Sequence, residues 1–425
     1  KSSAASDVYK RQMSGLDYSL APIELREQLS FTKAQVGALV ERIRSEVEGV
    51  LGCVLLSTCN RTELYLSCEK GVELQPGEVL CAAVGLSYAP FARAFVTRRG
   101  SDAARHLMEV SGGLQSQIWG EDQILSQVKG AIAIAREEGA ADPVLETLFR
   151  NAVAAGKEIK TKVRLTGVAT SAAARAVEVL TSQMGSLKGK RALVIGNGEM
   201  GRLSATLLRE AGCTVTVTLR TYRHGETVVP AGCGVVSYDD RTAAMEGMDI
   251  VLSATTSPHY TVTAEQVSRL GRRPSYVVDL AMPRDVDAAV GDLPEVRLYN
   301  VDTLGAERHQ GEIPAEALDI LDDYMGRFYE WNNYRKCLPA IEDLKTAITE
   351  RVLTYPEVEE DLDPEELIEL AVGRAVDLLT GGLKEHISPE DLERCVGKIK
   401  VHTAVKSRER EGSHDRKRIP FPAIC

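Results

Sequence analysis

The stretch VIGNGEMG, residues 194–201, constrains this chain more than any other. An apolar run from Ala192 to Ile195 reads as a strand, and a helical pattern follows the last glycine. Glycines at 196, 198 and 201 keep the GxGxxG spacing that a strand–turn–helix needs to receive a pyrophosphate. The first allows the tight turn, the second lets backbone approach the phosphates, and the third lets helix and strand pack closely. Gly196, Asn197, Gly198, Glu199, Met200 and Gly201 are therefore the predicted dinucleotide-binding residues, with helix N-terminal amides facing the anion.

Five further apolar segments follow: TVTVTL, CGVVSYD, DIVLSAT, SYVVDLAMP and VRLYNV. Strands alternating with helical stretches predict a parallel, doubly wound sheet. At the end of the second strand, an NAD site carries an acid for the ribose 2′-hydroxyl. Here Arg220 and Arg223 stand instead, with no carboxylate before Glu226. Arginines pair with a 2′-phosphate, so the sequence predicts NADP(H) over NAD.

A chain of 425 residues exceeds what one core needs, and this fold occupies only its middle. The stretch 13–164 mixes short strands with helices, and 165–308 carries the nucleotide fold. The stretch 309–410 is helical by periodicity, with an expected break at Pro339, and 411–425 reads as a polar tail. The expected fold class is thus multi-domain α/β. An α+β N-terminal catalytic domain precedes the Rossmann domain and a long C-terminal helical dimerisation module. The opening KSSAASDVYKRQ lacks an initial Met and resembles a translated cloning adapter, so residues 1–12 are read as a non-native leader.

No run of 18 apolar residues suits a membrane span. Nine cysteines without CxxC spacing predict reduced thiols in a cytoplasm, with no structural metal. The net charge of −10 argues against a general nucleic-acid binder. It leaves room for a local stripe: Arg150, Lys157, Lys160 and Arg164 share one side of a helical segment. That pattern suits phosphate tracking or a solvated cationic face.

Between the apolar run CVLLS and the alternating TELYLS lies the loop STCNR. Its thiol, Cys59, sits in polar company beside Arg61, where a cation favours a thiolate. Cys53 reads as core, and Glu63 as a structural residue opening the next strand. A loop thiol upstream of a hydride-carrying domain predicts thioester chemistry, in which an acyl group passes to sulfur and is then reduced.

LLSTCNRTELYL (55–66) resembles the signature of the glutamyl-tRNA reductases. So do GLDYSLAPIELRE (15–27), RHLMEVSGGLQSQIWGEDQILSQVKGA (105–131), VIGNGEMG and VVDLAMPRDVD (277–287), in that order. The resemblance implies that Cys59 takes glutamate from its tRNA and that NADPH reduces the thioester to glutamate-1-semialdehyde, beginning tetrapyrrole synthesis. It implies substrate-binding roles for Thr58, Asn60, Arg61, Ser116, Glu121, Asp122, Gln123 and Gln127. Arg61 would hold the side-chain carboxylate and Glu121 the α-amino group. His106 would act as acid/base or orient the substrate. It further implies a cytoplasmic homodimer that passes product to an aminotransferase. Two positions depart from the family: Tyr18 stands where His is frequent, and Asp122 where proline is common. The competing readings are a shikimate-dehydrogenase-like NADP oxidoreductase, which leaves the STCNR loop unused, and a non-catalytic tRNA-binding relative, which needs no Cys59.

Overall fold

The thiol loop closes a β-hairpin whose two strands are almost wholly buried. The computed structural model describes residues 11–163, 171–220, 228–304, 312–354, 363–397 and 399. Arg164, Arg223, Glu226 and the tail lie outside these. β1 (Arg11–Asp17), β2 (Val50–Ser57), β3 (Arg61–Cys68) and β4 (Val96–Arg99) form an antiparallel sheet in the order β2-β3-β1-β4. Every residue of β3 is buried, polar ones included, so each polar side chain needs a partner. Thr62 donates to Leu29 O at 2.8 Å and Ser67 to Asp142 at 3.0 Å.

β1 starts two residues before Met13, so the leader expected over 1–12 includes two residues that belong to the sheet. Arg11 and Gln12 pair with Ser67 and Leu66. The Gln12 amide also donates to Val72 O and accepts from Leu74 N, at 2.9 and 2.8 Å.

Helices pack on this sheet with their ends chemically marked. Thr32 and Gln35 form a capping box at the start of Lys33–Glu46. Asp142 accepts from Leu145 N at 2.9 Å and opens Pro143–Lys162, with proline at the first position where its missing N–H is harmless. Ser101–Ser111 and Gln123–Glu137 complete the layer.

The six expected apolar segments form β5 (Arg191–Ile195), β6 (Thr214–Leu219), β7 (Gly234–Ser237), β8 (Ile250–Ser253), β9 (Tyr276–Asp279) and β10 (Arg297–Asn300). They pair in parallel in the order β10-β9-β8-β5-β6-β7. The order reverses beside β5, which is where such sheets bind ligands. Helices Ala172–Met184 and Glu199–Glu210 cover one face. That core also includes Ile23, a residue from the other half of the chain.

Helix Ala315–Leu353 returns to the first half, with Ala317, Leu321, Tyr324, Met325 and Phe328 completing its core. The expected break at Pro339 does not occur: the helix continues through it. The lost N–H and the ring's crowding of the carbonyl four residues back, about 3 kcal/mol together, are tolerated within a helix of 39 residues. A second compact unit begins at Asn333. Within it, Pro364–Leu383 starts on an Asp363–Glu366 capping box and buries none of its residues. Among the described residues no helix is long and apolar enough to cross a membrane.

Candidate active site

The loop that carries Cys59 is shaped by the residue before it. Thr58 Oγ1 accepts from the amides of Asn60 and Arg61 at 3.2 and 3.1 Å, and Thr58 N donates to Arg61 O at 2.9 Å. Tyr18 N donates to Asn60 O at 2.9 Å and pins the loop to the end of β1. The Asn60 side chain is buried, and its Oδ1 has no hydrogen-bond partner in the structure. A buried amide oxygen left without a donor is suited to receive one from a ligand.

The cation that acts on the thiol is Arg26, not Arg61. Arg61 is buried, with Nη1 donating to Glu63 Oε1 at 2.8 Å and Nη2 to Gln115 O. Arg26 is 2% exposed and donates through Nη1 to Cys59 O at 2.5 Å. Burial and then the Glu121 carboxylate push the half-buried Cys59 thiol up to about 12; Arg26 pulls against them and Asp302 adds to the rise. Sequence reasoning assigns Arg26 no role, because one arginine on a short amphipathic segment looks like any solvated arginine. Only its burial distinguishes it.

Glu63 is the centre of a buried polar cluster rather than a strand-opening residue alone. His106 Nε2 lies 2.8 Å from Oε1, and Tyr65 Oη donates to Oε2 at 2.6 Å. Burial opposes ionisation of Glu63, but His106, Arg61 and these hydrogen bonds outweigh it and hold the carboxyl well below its usual range. A carboxylate only accepts, so His106 Nε2 carries the hydrogen. Room for the cluster comes from Gly15, opposite Glu63 across the sheet: a Cβ there would sit 2.7 Å from Glu63 Cγ.

The segment 113–123 forms the second wall. Ser116 and Glu121 are buried, Asp122 is exposed, and Gln123 and Gln127 are half-buried on the helix that follows. Burial lifts Glu121 to about 7, against the pull of Arg61 and Lys160. Lys160 does not join a phosphate stripe. Its ammonium donates to Glu121 O, to Gly120 O at 3.4 Å and to Asp122 Oδ1 at 3.0 Å, tying this wall to its helix. Arg150 and Lys157 remain exposed on that helix.

In the parallel half, each glycine of the turn has a separate reason. Gly196 takes φ +109, and its N–H donates to Thr218 Oγ1 at 3.1 Å. A Cβ on Gly201 would fall 2.0 Å from Gly196 O, whereas one on Gly198 would meet nothing within 4 Å. Open space therefore lies beside Gly198, at the N-terminus of Glu199–Glu210. Asn197 donates to Val228 O at 3.0 Å and leaves its Oδ1 buried and unpartnered. The Arg220 guanidinium lies 4.4 Å from the Tyr238 ring centroid, with Arg241 at the same distance from that ring. Asp279 closes β9 by accepting from Ala281 N and Val286 N, at 2.9 and 2.8 Å, and burial lifts it to about 7.

A glycine-turn parallel sheet joined to a thiol-bearing antiparallel domain defines an oxidoreductase of the nicotinamide-dependent dehydrogenase class. The family model for shikimate / quinate 5-dehydrogenase matches residues 178–306, and that for the N-terminal domain of glutamyl-tRNAGlu reductase matches residues 14–163. The chain is 43% identical over 329 residues to a glutamyl-tRNA reductase of Acetivibrio thermocellus, covering 77% of this chain and 98% of that protein. It is 40% identical over 332 residues to one of Alkaliphilus oremlandii, covering 77% and 99%. A solved glutamyl-tRNA reductase from Methanopyrus kandleri is 28% identical, with a TM-score of 0.46 over 92% of this chain and 97% of that one. This chain belongs to the glutamyl-tRNA reductase family.

Proposed function

We propose that the protein reduces glutamate, delivered on its tRNA, to glutamate-1-semialdehyde through a thioester on Cys59, with NADPH as reductant. The observation that carries the reading is the Cys59 loop: a half-buried thiol on a main chain fixed by Thr58 and Arg26, with Glu121 acting on the sulfur. Cys59 sulfur attacks the ester carbonyl carbon; the bond to the tRNA oxygen breaks and that oxygen takes a proton. Arg61 suits the substrate's side-chain carboxylate and Asn60 Oδ1 a donor, and Ser116, Gln123 and Gln127 are proposed to bind the same substrate.

Glu121 has the sharper task. Ionised, it opposes the thiolate; paired with the substrate's α-ammonium, its charge is cancelled and the thiol is easier to deprotonate. His106 positions Arg61 by way of Glu63. Gly196 to Gly201 suit the pyrophosphate and Arg220 a 2′-phosphate, which supports NADPH over NADH. When bound, that cofactor supplies the hydride that releases the aldehyde and returns the thiol.

Exposed Arg150 and Lys157 suit tRNA phosphates. The exposed Leu367, Ile368, Val372 and Val376 of Pro364–Leu383 suit a homodimer. A cytoplasmic setting and a downstream aminotransferase complete the reading. The deciding experiment is NADPH oxidation with glutamyl-tRNA beside free glutamate, in the wild-type protein and Cys59→Ser. Turnover of the charged tRNA alone, lost in the variant, is expected; turnover of free glutamate, or a fully active variant, overturns it. A purely shikimate-dehydrogenase-like activity accounts for residues 178–306 but assigns nothing to Cys59.

A further inference from the structure

Arg26 lies where three parts of the chain meet. Nε donates to Ala21 O at 3.1 Å within its own turn, Nη1 to the carbonyl of Cys59 at 2.5 Å, and Nη2 to the carboxylate of Asp302. Asp302 belongs to the short helix that follows β10 and so to the nucleotide half. Its main-chain oxygen also accepts from Gln117 Nε2 at 3.3 Å, which brings the second wall of the site to the same residue.

The short helix Ile23–Arg26 and the turn that follows it dock on the nucleotide half at two points. Ile23 is part of that half's apolar core, and Glu24 and Glu27 both pair with Arg284, on the loop after β9. One short element therefore touches the cofactor half on one side and the nucleophile's backbone on the other.

We propose that Arg26 is a positioning residue for the reaction: it fixes the main chain of Cys59, and through Asp302 it makes that fix depend on the stance of the nucleotide half. The planar guanidinium fork suits the task, since three acceptors in three directions are satisfied by one rigid group. Its charge is divided. The charged groups acting on the thiol are Arg26 from the short helix, Glu121 from the second wall and Asp302 from the nucleotide half. With Asp302 docked, part of the guanidinium charge is neutralised. With Asp302 withdrawn, that charge is left to favour the thiolate. Thiol reactivity thus reports whether the two halves are engaged.

The proposal rests on Cys59 being the nucleophile, and its test avoids the overall reaction. The alkylation rate of Cys59 by iodoacetamide is followed between pH 7 and 10, without tRNA or cofactor, by mass spectrometry of the Cys59 peptide in the full chain. Asp302→Asn, an isosteric change at a half-exposed residue, is expected to raise the rate by roughly tenfold, as loss of one nearby negative charge predicts. Arg26→Gln is expected to lower it, and Arg26→Lys to restore the rate while turnover stays depressed, because lysine returns charge but not the fork.

Opposite shifts for the two members of one ion pair are the signature of shared charge. Shifts in the same direction, or none, overturn the proposal, since a merely loosened loop would respond alike to either change. Should Arg26→Gln not fold, Asp302→Asn decides alone: an unchanged or slower rate overturns it. If the opposite shifts appear but glutamyl-tRNA is not reduced by the wild-type protein, the proposed function fails and the role of Arg26 stands. Reduction of glutamyl-tRNA without the shifts leaves the proposed function standing and removes this role from Arg26.

Discussion

His106 Nε2, on the helix Ser101–Ser111, and Glu63 Oε1, on β3, lie 2.8 Å apart, their side chains 5% and 2% exposed. Removing the carboxylate charge leaves Arg61 and His106 buried without it. Glu63→Gln is therefore expected to lose about 3–5 kcal/mol of stability, and His106→Gln about 1–3 kcal/mol, by denaturant unfolding. Turnover should fall in both through misplacement of Arg61, so KM for the charged tRNA should rise more than in a Cys59 variant.

Gly15 is the least conspicuous requirement of that cluster. Alanine there puts a methyl 2.7 Å from Glu63 Cγ, in the middle of a paired strand. Gly15→Ala is expected to cost about 1–3 kcal/mol through overpacking and to lower activity without touching a polar atom. A fully stable, fully active variant would show that the strand pair can part at no loss.

The glycine turn separates folding from binding. Gly201→Ala drives a methyl onto Gly196 O and should destabilise the nucleotide half severely. Gly198→Ala meets nothing, so the thermal midpoint should hold while cofactor affinity falls by roughly tenfold or more, as the methyl takes pyrophosphate space. Titration of intrinsic fluorescence with NADPH and NADH checks both, and equal weakening of the two is expected.

Glu121 carries a pH signature. Its folded pKa, about 7, lies above the unfolded value, so the folded state holds the extra proton. Its contribution to stability is complete below about pH 4 and fades as pH rises through 7, by up to about 3 kcal/mol. Glu63, shifted the other way, contributes above the unfolded value and fades only in strong acid. Glu121→Gln should flatten the unfolding profile between pH 5 and 7 and speed Cys59 alkylation at pH 8. An unchanged slope would mean that Glu121 does not titrate there.

The parallel sheet was legible because buried strands announce themselves as apolar runs, and all six stand as strands. The thiol loop was legible for a similar reason: an apolar run and an alternating one flank a polar reach. What stayed hidden has a common physical cause. Arg26, Lys160 and Glu63 are charged residues whose partners lie far along the chain or across the sheet. No local period marks them off from solvated charges. Lys160 shows how this misleads: its spacing fits a cationic stripe, while its ammonium is spent on the main-chain oxygens of Gly120 and Glu121 and on the Asp122 carboxylate. Pro339 misled in the opposite sense, since a strong local signal was overridden by a helix long enough to absorb it.

The nucleotide half is, in the order of the chain, an insertion. The polypeptide leaves the antiparallel half after Val163 and returns to its core at Ala317, so the parallel sheet is leashed at both ends. A body joined at two points of the chain cannot drift off. The Asp302–Arg26 contact therefore forms at the effective concentration of an intramolecular partner, in the millimolar range or above by order of magnitude. A contact too weak to assemble two separate proteins is strong enough here to time one.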